Sequence, residues 1–295
     1  MLAGVTGCTE IRGRRMLQEG NALFKEGRYA EAVERFTQAE ALVPNLPVLW
    51  LNKGYTCRQI VIPGSKAPES RKAADCAIAA FKRLAQLDPG DDRADALLTQ
   101  TLFDAEDYDV LSAMFLERHR KAPTEVGAIY TLQRIYSSWG KLDEALEWYE
   151  KAAEVKPNDP EAQYAIGVFV WNQLFKKGGG AAMTTFDPRP KPAPEPPAAG
   201  YGDIVAQRRV DLADLGIKHL QRAIEMRPKY TDAMTYLNLL YRQKSFAYFS
   251  EPDIWQQNVD QANEWQKKTL EILSAGKQQA AATTAGASPP KKAPN

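Results

Sequence analysis

The sequence predicts an all-α protein built from about six helix-turn-helix repeats. Apolar residues recur at helical spacing along most of the 295 residues. Three prolines of the kind that follow a helix, Pro89, Pro123 and Pro157, succeed one another at intervals of 34 residues. With 44% hydrophobic and 25% charged residues, the chain can bury a substantial core.

The balance of charge limits the partners of the protein. The chain has 38 Lys and Arg against 37 Asp and Glu, so its net charge is +1. Such a chain has no general field that attracts nucleic acid or an anionic membrane. No stretch approaches the roughly 18 consecutive apolar residues of a membrane-spanning helix. We therefore expect no nucleic-acid partner, and contact with a membrane only through an attached anchor.

The clearest helix pair lies between Gly20 and Pro44. Its first helix carries Leu23 and Phe24 and is interrupted at Gly27, a residue that commonly ends helices. The second helix then presents one face of small and aromatic residues, Ala32, Phe36 and Ala39. This pattern predicts two amphipathic helices joined by a short turn.

A 34-residue period, with small residues where two helices cross and a proline at the exit, resembles the tetratricopeptide repeat. The resemblance covers about residues 13–274. It implies a right-handed superhelical solenoid in which the first helices line a concave groove that takes protein or peptide ligands. The repeats it implies lie at about residues 13–46, 47–91, 92–125, 126–159, 160–230 and 231–274.

The small residues of a repeat allow its two helices to pack closely. Gly20 is expected to face Ala32 in the first pair, where a larger side chain should cost roughly 1 to 3 kcal/mol. In the third repeat, Thr99 and Leu111 stand where the family has its small pair. We therefore expect looser or shifted packing in that repeat.

Three repeats are lengthened between their two helices. The second has 11 extra residues near its turn, VIPGSKAPESR. The fifth has a flexible Pro- and Gly-rich insertion at about 176–202, whose alternating prolines favour polyproline II. This insertion is either a docking strand for a partner's aromatic groove or a solvated spacer. The sixth contains SFAYFSEPDIW, which either caps the core or contacts a partner or lipid surface.

The residues needed for catalysis or metal binding do not occur in a recognisable arrangement. The two histidines, His119 and His219, are each isolated in the sequence, and no HExxH or CxxCH motif is present. The segments PGSK and KKGGG contain only fragments of a phosphate-binding loop. We therefore predict no enzymatic activity, no metal, no cofactor and no small-molecule substrate.

The family's ligand-contacting positions hold residues typical of binding hot spots. Tyr, Trp and Arg are enriched in hot spots because they bury large areas and keep a polar group. Phe24 and Phe103 also occupy such positions; like Trp171, each either contacts a ligand or belongs to the core between helices. The predicted groove residues are Asn21, Tyr55, Arg58, Gln100, Tyr130, Arg134, Tyr164, Trp171 and Arg242.

One branch of the family binds the C-terminal carboxylate of chaperones through a clamp of Lys, Asn, Asn, Lys and Arg. At the matching positions this chain has Leu17, Asn21, Asn52, Arg93 and Leu97. Two of the three cations are missing, so the resemblance does not extend to binding of chaperone tails.

The N-terminal residues VTGC resemble the lipobox of bacterial lipoproteins, in which the signal is cut before a cysteine that carries diacylglycerol. Here that cysteine is Cys8, and residues 1–12 are interpreted as the remnant of a signal followed by a tether. Thr9 after the cysteine implies sorting to the periplasmic face of the outer membrane. At the other end, residues 275–295 lack apolar periodicity and are predicted to form a disordered tail.

Two further cysteines lie on the helices that flank the first insertion. Cys57 belongs to the first helix of the second repeat and Cys76 to its second helix, 19 positions later. Paired helices could bring them within reach of a disulfide, which an oxidising compartment would maintain. The alternative is a pair of buried free thiols.

These features predict a non-catalytic scaffold that is lipid-anchored in the cell envelope and binds partner proteins or peptides. Analogy with envelope lipoproteins of this repeat class suggests a role in assembling a membrane or secretion complex. The alternative is a soluble cytosolic adaptor of the same fold, for which Met1 would be the true start. A third interpretation is an accessory subunit of an enzyme complex whose partner supplies the chemistry.

Overall fold

The computed structural model describes residues 3–177 and 206–286, and this part of the chain contains twelve helices and no strand. The predicted all-α class and the helix-pair architecture are confirmed. The helices are α1 (Ala3–Lys25), α2 (Tyr29–Glu40), α3 (Pro47–Ile60), α4 (Pro68–Leu87), α5 (Asp92–Asp104), α6 (Tyr108–Lys121), α7 (Val126–Trp139), α8 (Leu142–Val155), α9 (Pro160–Lys177), α10 (Ala206–Met226), α11 (Thr231–Ser245) and α12 (Pro252–Gly286).

The chain divides into two compact units, Met1–Lys141 and Leu142–Asn295. The N-terminal unit contains α1 to α7, and the C-terminal unit contains α8 to α12. Within each unit, helices that follow one another in the chain pack together. Most of the connections are short, so neighbouring helices form antiparallel pairs.

Turn residues explain where several helices begin and end. Pro47 and Pro68 lie in the first turns of α3 and α4, where the missing N–H costs no intrahelical hydrogen bond. The Asp91 side chain accepts a hydrogen bond from the Arg93 backbone N–H at the start of α5. Gly140 ends α7 at a φ of 78°, a left-handed conformation that glycine adopts without strain.

Glycines sit at the closest helix crossings of the N-terminal unit. A methyl group added at Gly20 would lie 2.7 Å from the Phe36 ring, and one at Gly54 would lie 2.7 Å from Cζ of Phe81. The close approach of the first pair was predicted, but the nearest atoms to Gly20 belong to Phe36 and not to Ala32. The ring is preferred there because it fills the space that the glycine leaves.

Glycines also lie at close helix contacts in the C-terminal unit. A methyl group at Gly167 in α9 would lie 2.6 Å from Cδ2 of Leu220 in α10. One at Gly216 would lie 2.6 Å from Cδ1 of Leu240 in α11. The glycines therefore set the spacing of α9, α10 and α11, whose apolar residues form the core of this unit.

The aromatic connection between α11 and α12 folds back on the core. Phe246 is 4% exposed and Trp255 is 1% exposed, so both side chains are buried. Phe246 also stacks on Phe249, with ring centroids 5.9 Å apart. Of the two interpretations of this segment, capping of the core is the one that the structure shows for Phe246 and Trp255.

The two ends of the chain are more helical than predicted. Residues 3–12, interpreted as a signal remnant and tether, belong to α1. Residues 275–286 belong to α12, although a disordered tail was predicted from residue 275. High helix propensity accounts for this extension, because 280–286 contains four alanines and continues a helix that has already formed. Residues 287–295 and most of the 176–202 insertion lie outside the described residues.

Candidate functional site

A pocket of about 280 Å³ lies between α1 and α3 in the N-terminal unit. The Asn52 side-chain N–H donates to Asn21 Oδ1 over 2.9 Å and ties the two helices together. Within the described residues, these two side chains make no other hydrogen bond, so each keeps a polar group for a ligand. The pocket is lined by Asn21, Phe24, Lys25, Asn52, Tyr55 and Thr56.

Two predicted groove tyrosines of the N-terminal unit are accessible. Tyr55 on α3 is 36% exposed, and Tyr130 on α7 is 41% exposed. The ring of Tyr55 is held edge-on against the buried Phe81, with centroids 6.1 Å apart. Because its orientation is fixed by packing, Tyr55 offers contact area at little entropic cost.

Arg58 and Gln100 meet at a shared carboxylate. The Arg58 guanidinium lies 3.1 Å from Asp104 Oδ2, and the Gln100 side-chain N–H donates to Asp104 Oδ1 over 2.8 Å. The Arg58 and Asp104 side chains are 29% and 16% exposed. The pair therefore lies largely out of water, where a charge-assisted hydrogen bond is stronger than at an open surface.

The insertion in the second repeat packs on the turn between α5 and α6. The Gly64 backbone N–H donates to the Asp104 carbonyl over 2.9 Å, and Lys66 pairs with Glu106 over 2.7 Å. Arg71, at the start of α4, pairs with Asp107 over 2.6 Å. This contact was not predicted, although cations in and beside the insertion and three carboxylates between positions 104 and 107 were visible in the sequence.

Arg134, another predicted groove residue of the N-terminal unit, also connects two first helices. The Arg134 guanidinium of α7 lies over the Phe103 ring of α5, 4.1 Å from its centroid. Phe103 is in turn 6.1 Å from the ring of Tyr108. Phe103 thus belongs to the packing between helices, and Arg134 covers one of its faces.

Cys57 and Cys76 are joined by a disulfide, with their Cα atoms 5.9 Å apart. The bond links α3 to α4 beside Tyr55 and Arg58, two of the predicted groove residues. It also closes the chain segment that contains the insertion. The pairing that the sequence left open is thus present as a bridge, and the described residues contain one free cysteine, Cys8.

Aromatic side chains dominate the predicted groove positions of the C-terminal unit. The Tyr164 and Trp171 rings of α9 both approach Tyr236 of α11 edge-on, with centroid distances of 5.7 Å and 5.3 Å. Trp171 also stacks on Phe175 at 5.0 Å. Tyr236 and Phe175 were not predicted, although Phe175 follows the predicted Trp171 at helical spacing.

Polar interactions lie at Glu161, near Tyr164, and at Arg242, further along α11. Glu161 accepts hydrogen bonds from the Tyr230 hydroxyl over 2.6 Å and from Arg227 over 2.7 Å, and these bonds lower the pKa of Glu161. Arg242 donates to Asn238 and Asn263, each over 2.9 Å. Burial lowers the pKa of Arg242.

Neither a metal centre nor a membrane-spanning helix is found in the part of the chain that the structure describes. No group of three or more His, Cys, Asp or Glu side chains there could hold a metal ion. None of its helices combines the length and apolar character needed to cross a bilayer. Cys8, the predicted lipidation site, is exposed on α1.

The family model of the tetratricopeptide repeat matches residues 134–173 of the chain. Among curated proteins, E3 ubiquitin-protein ligase CHIP from Arabidopsis thaliana is 39% identical over 49 residues, which are 17% of this chain and 18% of the ligase. Protein bimA from Emericella nidulans is 25% identical over 167 residues, 49% of this chain and 21% of that protein. The chain thus spans about a fifth of the length of each.

Two solved structures match the chain at low sequence identity and with TM-scores below 0.5. MamA from Desulfovibrio magneticus RS-1 gives a TM-score of 0.37 at 13% identity, covering 74% of this chain and 97% of MamA. YrrB, described as a TPR protein with an unusual peptide-binding site, gives a TM-score of 0.37 at 17% identity. That comparison covers 83% of this chain and 99% of YrrB.

Proposed function

Because a tetratricopeptide-repeat model matches residues 134–173 and the described chain is built of helix pairs, we propose that the protein is a non-catalytic scaffold that binds a partner peptide or protein segment in the pocket between α1 and α3. The observation that carries this proposal is the pair of asparagines in the pocket. Asn21 and Asn52 bind each other through one polar group each and keep the other group. An extended peptide has alternating N–H and C=O groups that fit such a donor and acceptor.

The tyrosines supply the apolar contact that the asparagines lack. Tyr55 lines the pocket and exposes a rigid ring beside the two amides. Tyr130 offers a second exposed ring in the same unit, on α7. Rings of this kind dominate binding energy when a ligand buries them. Arg58 is less available to a ligand because it would first have to leave Asp104.

Site-specific photocrosslinking tests this proposal. A benzophenone amino acid replaces Tyr55 in one variant and Leu116 in another, and each is irradiated in the native host. Leu116 is a matched control because it is 40% exposed but lies on α6, a second helix of its pair. We expect a discrete adduct at position 55 and none at position 116.

The crosslinked partner segment is then identified by mass spectrometry and made as a free peptide. Its affinity for the unmodified chain should fall at least about 10-fold in the Tyr55→Ala and Asn52→Ala variants. Equal crosslinking at positions 55 and 116, or unchanged affinity in both variants, would refute the pocket as the binding site.

We propose further that Cys8 carries diacylglycerol and holds the scaffold in the bacterial cell envelope, on the periplasmic face of the outer membrane. The VTGC sequence and the exposure of Cys8 support this anchor. Gly13, five residues later, already packs closely on the residues that follow α2. A methyl group added at Gly13 would lie within 3.0 Å of side-chain atoms of Leu42 and Val43. The first repeat would therefore begin directly at the membrane surface, as suits a protein that assembles a membrane or secretion complex.

The mass of the N-terminal peptide from fractionated cells tests the anchor. We expect a diacylated Cys8 in the membrane fraction, and release of a Cys8→Ser variant from that fraction. An unmodified Met1 in the soluble fraction would refute the anchor but not the peptide pocket, since the two proposals rest on different residues.

A further inference from the structure

The C-terminal unit carries a continuous surface of aromatic rings on α9 and α11, here named the aromatic row. It consists of Tyr164, Trp171 and Phe175 of α9 with Tyr236 of α11. Each member lies 5.0 to 5.7 Å from the next, measured between ring centroids. All four side chains are half-buried, so each keeps part of its ring in contact with solvent.

The aromatic row is not the core of the unit. The buried face of α9 consists of Ile166, Phe169, Val170 and Leu174, which are at most 6% exposed. Tyr164, Trp171 and Phe175 follow one another at spacings of seven and four residues and form a second stripe beside that face. This stripe contacts α11 through Tyr236 and is still only half-buried, so part of it faces solvent.

Hydrogen-bond donors accompany the rings. Neither the Trp171 indole N–H nor the hydroxyls of Tyr164 and Tyr236 bond to another residue in the described part of the chain. Burial, followed by nearby negative groups, raises the pKa of Tyr164 to about 12, so its hydroxyl stays protonated at neutral pH. The row therefore presents donors and apolar faces. A proline-rich chain is the matching ligand because its prolines keep the carbonyl acceptor and lack the N–H.

The spacing of the row also matches such a chain. Seven residues separate Tyr164 from Trp171, which is about 10.5 Å along a helix that rises about 1.5 Å per residue. A polyproline II chain repeats every three residues, or about 9.3 Å. Tyr236 contacts both α9 rings, and the exposed parts of Tyr164 and Trp171 lie about one polyproline II turn apart.

Charge at one end of the row favours a basic ligand. Asp232 lies near enough to Tyr164 to raise the pKa of its hydroxyl. Asp232 makes no ion pair or hydrogen bond with the rest of the described chain and is exposed. The other nearby carboxylate, Glu161, is already occupied by Arg227 and Tyr230. Asp232 is therefore available to a Lys or Arg placed between the prolines of a ligand.

We propose that the aromatic row binds a proline-rich segment of a partner protein, in the polyproline II conformation and with basic residues between its prolines. This inference rests on the proposed function and names a ligand class for the C-terminal unit. Recognition would follow the general mode in which aromatic rings form slots for prolines and donors meet the backbone carbonyls.

Fluorescence anisotropy with a labelled peptide tests the inference. The probe is FDPRPKPAPEPP, which has the required composition and is the sequence of residues 186–197 of this chain. A control peptide has alanine in place of every proline. With the full chain, we expect saturable binding of the probe and at least about 10-fold weaker binding of the control.

Variants locate the site. Trp171→Ala and Tyr236→Ala should each weaken binding at least about 10-fold, and Trp171→Phe should restore part of it. Trp265→Ala is the matched control, because Trp265 is a half-buried tryptophan of the same unit that lies outside the row. Circular dichroism checks that each variant is folded. Equal loss of affinity in the Trp265 and Trp171 variants would overturn the assignment.

The remaining alternative is that the proline-rich segment of this chain itself occupies the row. A variant chain with alanine in place of its prolines between positions 188 and 196 tests this alternative. If only the variant chain binds the probe, the row is occupied by residues of the same molecule, and the partner assignment is wrong. If neither chain binds, the inference fails altogether. Crosslinking at Tyr55 reports on the N-terminal pocket, so that failure is distinguishable from failure of the proposed function.

Discussion

Replacing Gly54 by alanine tests whether close helix packing defines the second repeat. The added methyl group would lie 2.7 Å from Cζ and 2.8 Å from Cδ1 of Phe81. Ordinary contacts between carbon atoms are about 3.5 to 4.0 Å, so the ring or the helix must move by about 1 Å. Phe81 is fully buried, and the Cys57–Cys76 bridge limits how far the two helices can separate.

The expected loss of stability follows from two opposing effects. Overpacking of a tight core costs about 1 to 3 kcal/mol. Alanine in place of glycine inside a helix returns about 0.5 to 1 kcal/mol. Gly276 isolates the second effect, because it is exposed on α12 and a methyl group there would meet nothing within 4 Å. Gly54→Ala should therefore be about 1 to 3 kcal/mol less stable than Gly276→Ala.

Urea unfolding followed by circular dichroism measures both variants. Adding Phe81→Leu to Gly54→Ala removes the clashing ring edge, so the double variant should lose less stability than the sum of the single losses. A coupling of about 0.5 to 3 kcal/mol is typical of residues in direct contact. Additive losses, or a Gly54→Ala variant as stable as Gly276→Ala, would show that the helices do not depend on this close approach.

Three further predictions concern the bridge, the shared carboxylate and a buried histidine. Cys76→Ser should lower the free energy of unfolding by about 3 kcal/mol, and thiol labelling of the unfolded, unreduced native chain should modify neither Cys57 nor Cys76. Asp104→Ala should cost about 1.5 to 3 kcal/mol in urea unfolding, whereas loss of the exposed Asp75 should cost less than about 1 kcal/mol. Burial lowers the pKa of His219, so the folded protein favours the neutral imidazole. This contribution to stability is present above the usual histidine pKa of about 6.5 and is lost as the pH falls below it. His219→Gln should therefore make stability less dependent on pH between about 7 and 5, and unchanged dependence would contradict this.

The repeat architecture was predictable because it depends on local signals. Period, small residues and proline exits are all visible within about 34 residues of each other. The positions of Gly54 and Gly167 at helix crossings follow from the same pattern. The residue that each glycine contacts is harder to predict from local signals. Whether Ala32 or Phe36 lies opposite Gly20 depends on the rotation of the second helix about its axis, and the repeat period does not fix that rotation to within one turn.

The contacts of the groove residues were much harder to predict. Arg58 and Asp104 are 46 positions apart, and their meeting depends on how α3 packs beside α5. The sequence identified Arg58 by residue type and family position, which says nothing about a partner for its charge. The packing of the insertion on the next turn is likewise a contact between repeats, so neither repeat alone contains the information that predicts it.

These contacts change which residues can recognise a ligand. Arg58, Gln100 and Arg134 were predicted to bind a partner, but each already contacts a residue on its own or a neighbouring first helix. A ligand that recruited Arg58 would have to leave Asp104 buried without its counter-charge, which is costly. In the two proposed sites, recognition therefore falls to groups that are accessible before binding. These are the asparagine amides, Lys25 and Tyr55 in the N-terminal unit, and the ring faces and donors of the aromatic row in the C-terminal unit. Loss of the partner peptide's backbone N–H groups by N-methylation should thus abolish binding to the N-terminal pocket.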